Sequence, residues 1–150
     1  MDENIQAKLT AENTGHLLYH LSVVLERKMK RSLDTIGITH TQFIILATTF
    51  RLNQKSDLVT QVEIANASMT DKMMVSKVLR ALEKKGWVGR KEHPIDTRAK
   101  TISITQSGTV TLKKTLEIVF QVEKEFFNPI ADKKQELNEL MKILITQNQD

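Results

Sequence analysis

The chain has 150 residues, of which 40% are hydrophobic and 27% charged, with a formal net charge of +4 and no cysteine. That length buries a real core as one compact unit, and the missing cysteine excludes disulfides, thiolate metal sites and cysteine redox switches. Aromatics are only 5%, with five Gly and two Pro, so the core must be aliphatic and long helices are favoured over a turn-rich all-β fold.

Met1 to Thr10 carries acids and no apolar run, unlike a signal peptide. No apolar stretch approaches the roughly 20 residues that span a bilayer. The chain therefore reads as soluble and cytoplasmic, with no membrane partner. A first long helix is expected from Asn13 to Asp34, where Leu17, Leu18, Leu21, Val24, Leu25 and Met29 recur at three- and four-residue spacing. Gly37 ends it. Thr39 and Gln42 form a capping-box pattern, and the FIILA run that follows is apolar all round, so the second helix should be central and buried. A polar loop, Asn53 to Asp57, ends it.

Thr60 and Glu63 make another capping box, opening a short third helix through about Asn66. Ser68 to Thr70 reads as a turn, Thr70 as the N-cap of a fourth helix, and Asp71 as an acid in its first turn, opposing the helix dipole. That helix, 71–85, stops at Gly86. Trp87 to Lys91 and Thr101 to Ile104 are strand-like within a wing spanning 88–104, and His93-Pro94 and Asp96-Thr97 mark its turn. Helix resumes after Thr105 to about Phe127. Pro129 interrupts it, and Asp132 to Gln135 caps a final helix with Leu137, Leu140, Met141 and Leu144 on one face.

Between Asp71 and Lys100 stand nine Lys or Arg against four Asp or Glu, a local balance of +5, so the rest of the chain sums to −1. Such a basic segment on a near-neutral chain is the footprint of a polyanion partner. On a helical wheel Met74, Val75, Val78, Leu79 and Leu82 share the arc that must pack on the core. Lys72, Met73, Ser76, Lys77, Arg80 and Lys84 share the opposite arc, suited to phosphates and base edges of a major groove, with Arg80 able to reach guanine. Arg90, Lys91, Arg98 and Lys100 cluster on the wing, whose tip can enter a minor groove. Asp96 is wrong for a phosphate contact and is expected to hold Arg98 or its backbone in place. Helix-turn-helix plus wing points to binding of double-stranded DNA.

With ITHTQFIIL in the second helix, TQVEIA in the third, VSKVLRALEKKGWV in the fourth, the wing DTRAK and the ITQSG after it, nearly the whole chain resembles the MarR group of winged-helix regulators. The resemblance implies a mainly α fold with a small β-hairpin wing. It implies a winged-helix lobe over 39–105 and dimerisation helices over 10–36 and 106–147. It also implies a homodimeric transcriptional regulator, a repressor by the family's habit. Carried over by position, the base-reading surface falls on Thr70, Lys72, Met73, Ser76, Lys77 and Arg80, and the minor-groove role on Arg98 with Asp96 supporting it. One departure is Gly89, where the family often has a charged residue; it either loosens the wing base or lets the strands sit closer.

Dimerisation has support in the residues themselves. The first helix, the Leu112–Phe127 stretch and the final helix carry more apolar side chains than a small winged core can cover, with Leu116, Val119, Phe120, Phe126 and Phe127 as one such surface. The resemblance further implies a pocket for a small-molecule effector, aromatic or anionic. His16, Tyr19 and His20 on the first helix and Phe43 on the second are its expected lining. Glu12, His16 and His20, spaced i, i+4, i+8, are a weaker metal candidate in a chain with four His and no Cys, so neither a metal nor a cofactor is expected. No glycine-rich phosphate loop, nucleophile elbow or metalloprotease helix supports an enzyme, and His93 and Asp96 fall on an exposed tip. The alternative is a winged helix that docks proteins without specific DNA binding.

Overall fold

The computed structural model describes Ile5, Lys8, Leu9 and residues 13–149. Its order is helix α1 (Thr14–Leu33), a 3-10 turn (Asp34–Ile36), α2 (His40–Asn53), α3 (Gln61–Ser68) and α4 (Lys72–Lys84). Strands β1 (Val88–Glu92) and β2 (Lys100–Ile104) follow, then α5 (Gln106–Phe127), a 3-10 segment (Asn128–Lys133) and α6 (Lys134–Gln147).

Short-range chemistry sets the boundaries. The Asn13 side chain accepts from the His16 N–H and opens α1, and Gly37, left-handed at φ 68°, turns the chain out of the 3-10 turn that ends it. Both capping boxes are present, Thr39 with Gln42 and Thr60 with Glu63. Three boundary expectations are corrected. Asp71, not Thr70, caps α4, its carboxylate accepting from the Met73 and Met74 N–H groups at 2.9 and 3.2 Å. Thr70 is half-buried and its hydroxyl donates instead to the Ser68 carbonyl. Asp132 caps nothing, because the 3-10 segment runs through it and α6 begins without a side-chain cap. α3 also extends two residues beyond Asn66, ending at left-handed Met69.

The core lies between α1, α2, α4, α5 and the hairpin, built from Met29, Leu33, Ile45, Leu46, Leu79, Leu82 and Ile102. α2 is central, as its all-round apolar run requires, and its fully buried Thr49 does not breach the core. Thr49 turns its hydroxyl back to the Ile45 carbonyl, which satisfies it inside the helix.

The hairpin is antiparallel, with Val88 opposite Ile104 and Arg90 opposite Ile102. β2 is also paired on its far side: the Ile102 N–H donates to the Val59 carbonyl at 2.7 Å, and Thr60 bridges Thr101. Asn53 at the end of α2 adds a side-chain rung, its Nδ2 donating to the Ile102 carbonyl at 3.0 Å and its Oδ1 accepting from the Ile104 N–H at 2.9 Å. The wing base is thus bonded to the α2 end and the α3 entry, which holds it against the helical lobe. Asn53→Ala leaves both β2 groups partly buried and unpaired, and should lower stability by about 1–3 kcal/mol. Chemical denaturation reads this out; a shift under about 0.5 kcal/mol would show that water replaces the rung. Gly89 sits opposite Ser103, and a Cβ there would meet open space, so close strand approach is not what this glycine provides.

Candidate nucleic-acid interface

α3 and α4, joined by the short turn at Met69–Asp71, form the helix-turn-helix. On α4, Val75, Val78, Leu79 and Leu82 are buried, and Lys72, Met73, Lys77 and Arg80 are exposed on the other side. Met74 departs from the wheel: it is 45% exposed and lines a concavity on the outer face with Met73, Lys77 and Arg80. Ser76 is half-buried, and its hydroxyl oxygen accepts from Arg80 Nη2 at 3.1 Å. A concavity of about 590 Å3 lined by Asp71, Met73, Met74, Lys77 and Arg80 runs along this face.

Three of the four acids of the basic segment, Asp71, Glu83 and Asp96, serve as internal struts. Asp71 caps the helix. Glu83 lies 3.2 Å from Arg90 Nε across the α4–β1 corner. The Asp96 carboxylate accepts from the Arg98 N–H at 3.0 Å, and His93 Nδ1 accepts from the Ile95 and Asp96 N–H groups. Each of these three carboxylates is anchored against backbone or a neighbouring cation, while Lys72, Lys77, Arg80, Arg98 and Lys100 are exposed to solvent. Field lines from these cations therefore leave the protein surface, as an anionic partner requires.

Arg90 does not belong with the exposed cations. Its side chain is only 19% exposed and faces Glu83 at ion-pair distance, but off the angle of a hydrogen bond; its Nε and Nη2 are buried without a hydrogen-bond partner among the described residues. It also lines a concavity of about 370 Å3 between the α3 entry and the wing, bordered by Thr60, Gln61, Val62, Asp96, Arg98, Ala99 and Lys100. Sequence reasoning missed this cavity, since Thr60 and Gln61 come to the wing only through the Val59–Ile102 pairing.

Lys85 is a second residue that local reading passed over. Its Nζ donates to the Gly37 carbonyl at 2.6 Å and stands 4.5 Å from the centre of the Trp87 ring, tying the end of α4 to the α1–α2 corner.

The expected effector residues divide into two groups. His16, Tyr19 and His20 lie together on exposed α1, with the two imidazole centres 4.2 Å apart. Phe43 is buried in the core and stacks on His40, whose Nδ1 is 2.7 Å from a Glu26 carboxylate oxygen. Glu12 lies outside the described residues. Among those described, no cluster of three or more His, Cys, Asp or Glu is arranged for a metal, and no helix is long and apolar enough to cross a membrane.

A buried-faced helix-turn-helix with a cationic outer face, followed by a basic hairpin, defines a winged-helix DNA-binding protein. Residues 34–123 match the family described as ArnR1-like, winged-helix domain. The chain is 34% identical over 140 residues to YdcH of Bacillus subtilis, an uncharacterized HTH-type transcriptional regulator, covering 92% of this chain and 95% of that protein. It is similar to MepR of S. aureus in a DNA complex, with 28% identity, a TM-score of 0.75, and 90% and 95% of the two chains covered. It is also similar to a mutant MarR from E. coli complexed with operator DNA, with 25% identity, a TM-score of 0.77, and 87% and 91% covered.

The chain belongs to the ArnR1-like winged-helix family and is a MarR-family transcriptional regulator with a DNA-binding winged helix.

Proposed function

We propose that this regulator acts as a homodimeric repressor that reads a palindromic operator. α4 would enter the major groove and the wing the adjacent minor groove. The observation that carries this reading is the exposed row Lys72, Met73, Lys77 and Arg80 on α4. These side chains offer point charges for phosphates, a fork for guanine and an apolar surface for a thymine methyl. Ser76 and Thr70 sit at the edge of that row, where their hydroxyls are engaged with Arg80 and Ser68. Arg98 and Lys100 would serve the wing, with Asp96 fixing the Arg98 backbone. Arg90 would brace α4 against β1 through Glu83 rather than grip DNA.

The dimer would form on apolar side chains that stay exposed: Leu17, Leu18, Leu21 and Val24 on α1, Phe120 on α5, and Leu140, Ile143 and Leu144 on α6. None of the α6 residues is buried, so this helix has no core of its own to join. A second copy is the natural cover for such a face. Val119, expected on this surface, is instead buried in the core, and Leu116 packs partly against it. Sedimentation at micromolar concentration should give a dimer; a monomer would sink the proposal. Release by a small aromatic or anionic effector belongs to the same reading. His16, Tyr19 and His20 share the N-terminal half of α1 with that apolar face, where a second copy would enclose them; Phe43, already enclosed, drops out.

Selection of bound genomic fragments by the purified protein near physiological salt tests the function. An enriched palindrome with half-sites about one helical turn apart is expected. No enrichment, with binding that vanishes as salt rises, would leave only nonspecific polyanion affinity and bring the protein-docking alternative forward.

A further inference from the structure

Three of the six methionines stand within six residues of one another, at 69, 73 and 74, and there is no cysteine. Met69 is 77% exposed, Met73 82% and Met74 45%, whereas Met29 is buried in the core and Met141 half-buried. The exposed group is not scattered. Met69 is the left-handed residue at the turn of the helix-turn-helix, and Met73 and Met74 line the concavity they share with Lys77 and Arg80. The most accessible sulfur among the described residues therefore lies on the face that would be pressed against DNA.

We propose that Met69, Met73 and Met74 form an oxidation site through which a hypohalous acid releases the regulator from DNA, an inference that rests on α4 being the DNA-reading helix. The step is a two-electron oxygen transfer. The thioether sulfur forms a bond to the oxygen of hypochlorous acid, the O–Cl bond breaks, chloride leaves and the hydroxyl proton passes to solvent. Sulfur is oxidised and chlorine reduced by two electrons each. The product is a sulfoxide, polar and strongly hydrogen-bond accepting where an apolar side chain stood. With no thiol in the chain to compete, exposure directs the oxidant to these three among the thioethers of the described residues.

The consequence follows from spacing. Met73 and Lys77 are i, i+4 neighbours on α4, and Met74 and Lys77 are i, i+3. A sulfoxide oxygen on either one is within reach of the Lys77 ammonium and competes with phosphate for it. It also places a hydrogen-bond acceptor where Met73 would otherwise set an apolar surface against a thymine methyl, which cannot donate. Oxidation thus withdraws a cation and adds an unpaired acceptor on the same face. Sulfoxide reductases for the two epimers would reverse both effects.

The test titrates the full chain with hypochlorite, maps the added oxygen by peptide mass spectrometry and measures affinity before and after for the selected genomic fragment. If selection yields none, a mixed-sequence duplex at low salt is the probe. Wild type should lose about tenfold in affinity as Met69, Met73 and Met74 gain oxygen, and the slope of log affinity against log salt should shrink by about one. Reductases with dithiothreitol should restore both. A variant carrying Met69→Leu, Met73→Leu and Met74→Leu, compared only with itself before treatment, should change less than about twofold; if it does not bind at all, reversal by the reductases on wild type decides. Unchanged affinity with sulfoxide at all three positions would overturn the proposal, as would equal loss in the triple variant or failure of the reductases to restore binding. Absence of DNA binding before any oxidant is added would instead defeat the DNA-reading assignment.

Discussion

Gly108→Ala is expected to destabilise the protein by about 2–3 kcal/mol and lower its melting temperature by roughly 6–10 °C. Gly108 is the third residue of α5, and its N–H donates to the capping Thr105 hydroxyl at 3.0 Å. A Cβ on it would lie 2.1 Å from the Trp87 carbonyl oxygen and 2.9 Å from Ile104 Cγ1. The backbone cannot yield cheaply, because the same Trp87 carbonyl accepts from the Thr105 N–H at 3.0 Å and the Trp87 N–H is bonded to the Leu82 carbonyl. Trp87 is the joint between α4 and β1, so displacing it moves the wing base relative to the recognition helix. Thermal denaturation checks the stability, and a change below about 1 °C would mean that α5 can tilt away without penalty.

Arg98→Ala should weaken DNA binding by about 1–3 kcal/mol, roughly 5- to 150-fold, while leaving stability within about 0.5 kcal/mol. The separation of the two effects comes from the wing's construction. The Arg98 side chain is exposed, and what orders the tip is its backbone N–H on Asp96 together with the His93 contacts. Alanine keeps that N–H and removes only the guanidinium. The salt dependence of binding should also fall by about one phosphate contact. Fluorescence anisotropy at two salt concentrations, paired with a denaturation curve, checks both halves. Unchanged affinity at moderate salt would remove the wing from the interface. Loss of stability instead would mean that the guanidinium holds the hairpin together.

The two variants bracket what was readable in the sequence. Thr105-x-x-Gly108 is visible as a motif, and the cap explains its threonine from local chemistry alone. The reason for its glycine is the Trp87 carbonyl, which arrives from twenty-one residues earlier in the chain. The same division runs through the site. Lys72, Lys77 and Arg80 read correctly as an outward row because the neighbouring Val75, Val78, Leu79 and Leu82 claim the inward arc. Met74 lies at the edge of that arc, where burial is set by tertiary neighbours and not by the wheel, and it is exposed. By local sequence Arg90 is one more wing cation; the turn at Gly86 brings Glu83 opposite it. Thr70 and Asp71 are both good caps in isolation; the left-handed turn at Met69 directs the threonine hydroxyl to Ser68 and leaves the cap to the carboxylate.

By itself the sequence determined the elements, their order, the hairpin and the concentration of positive charge on one segment. The helices and turns rest on interactions between residues two to four apart, which periodicity and capping patterns record directly, while the strands show as alternation and the charge is read from composition. Only the tertiary structure decided which polar groups were already engaged, which methionines lay bare, where Phe43 and Val119 were enclosed, and why position 108 admits no side chain. Those outcomes depend on segments distant in the chain meeting in space, and burial is set by that meeting rather than by any residue's own preference.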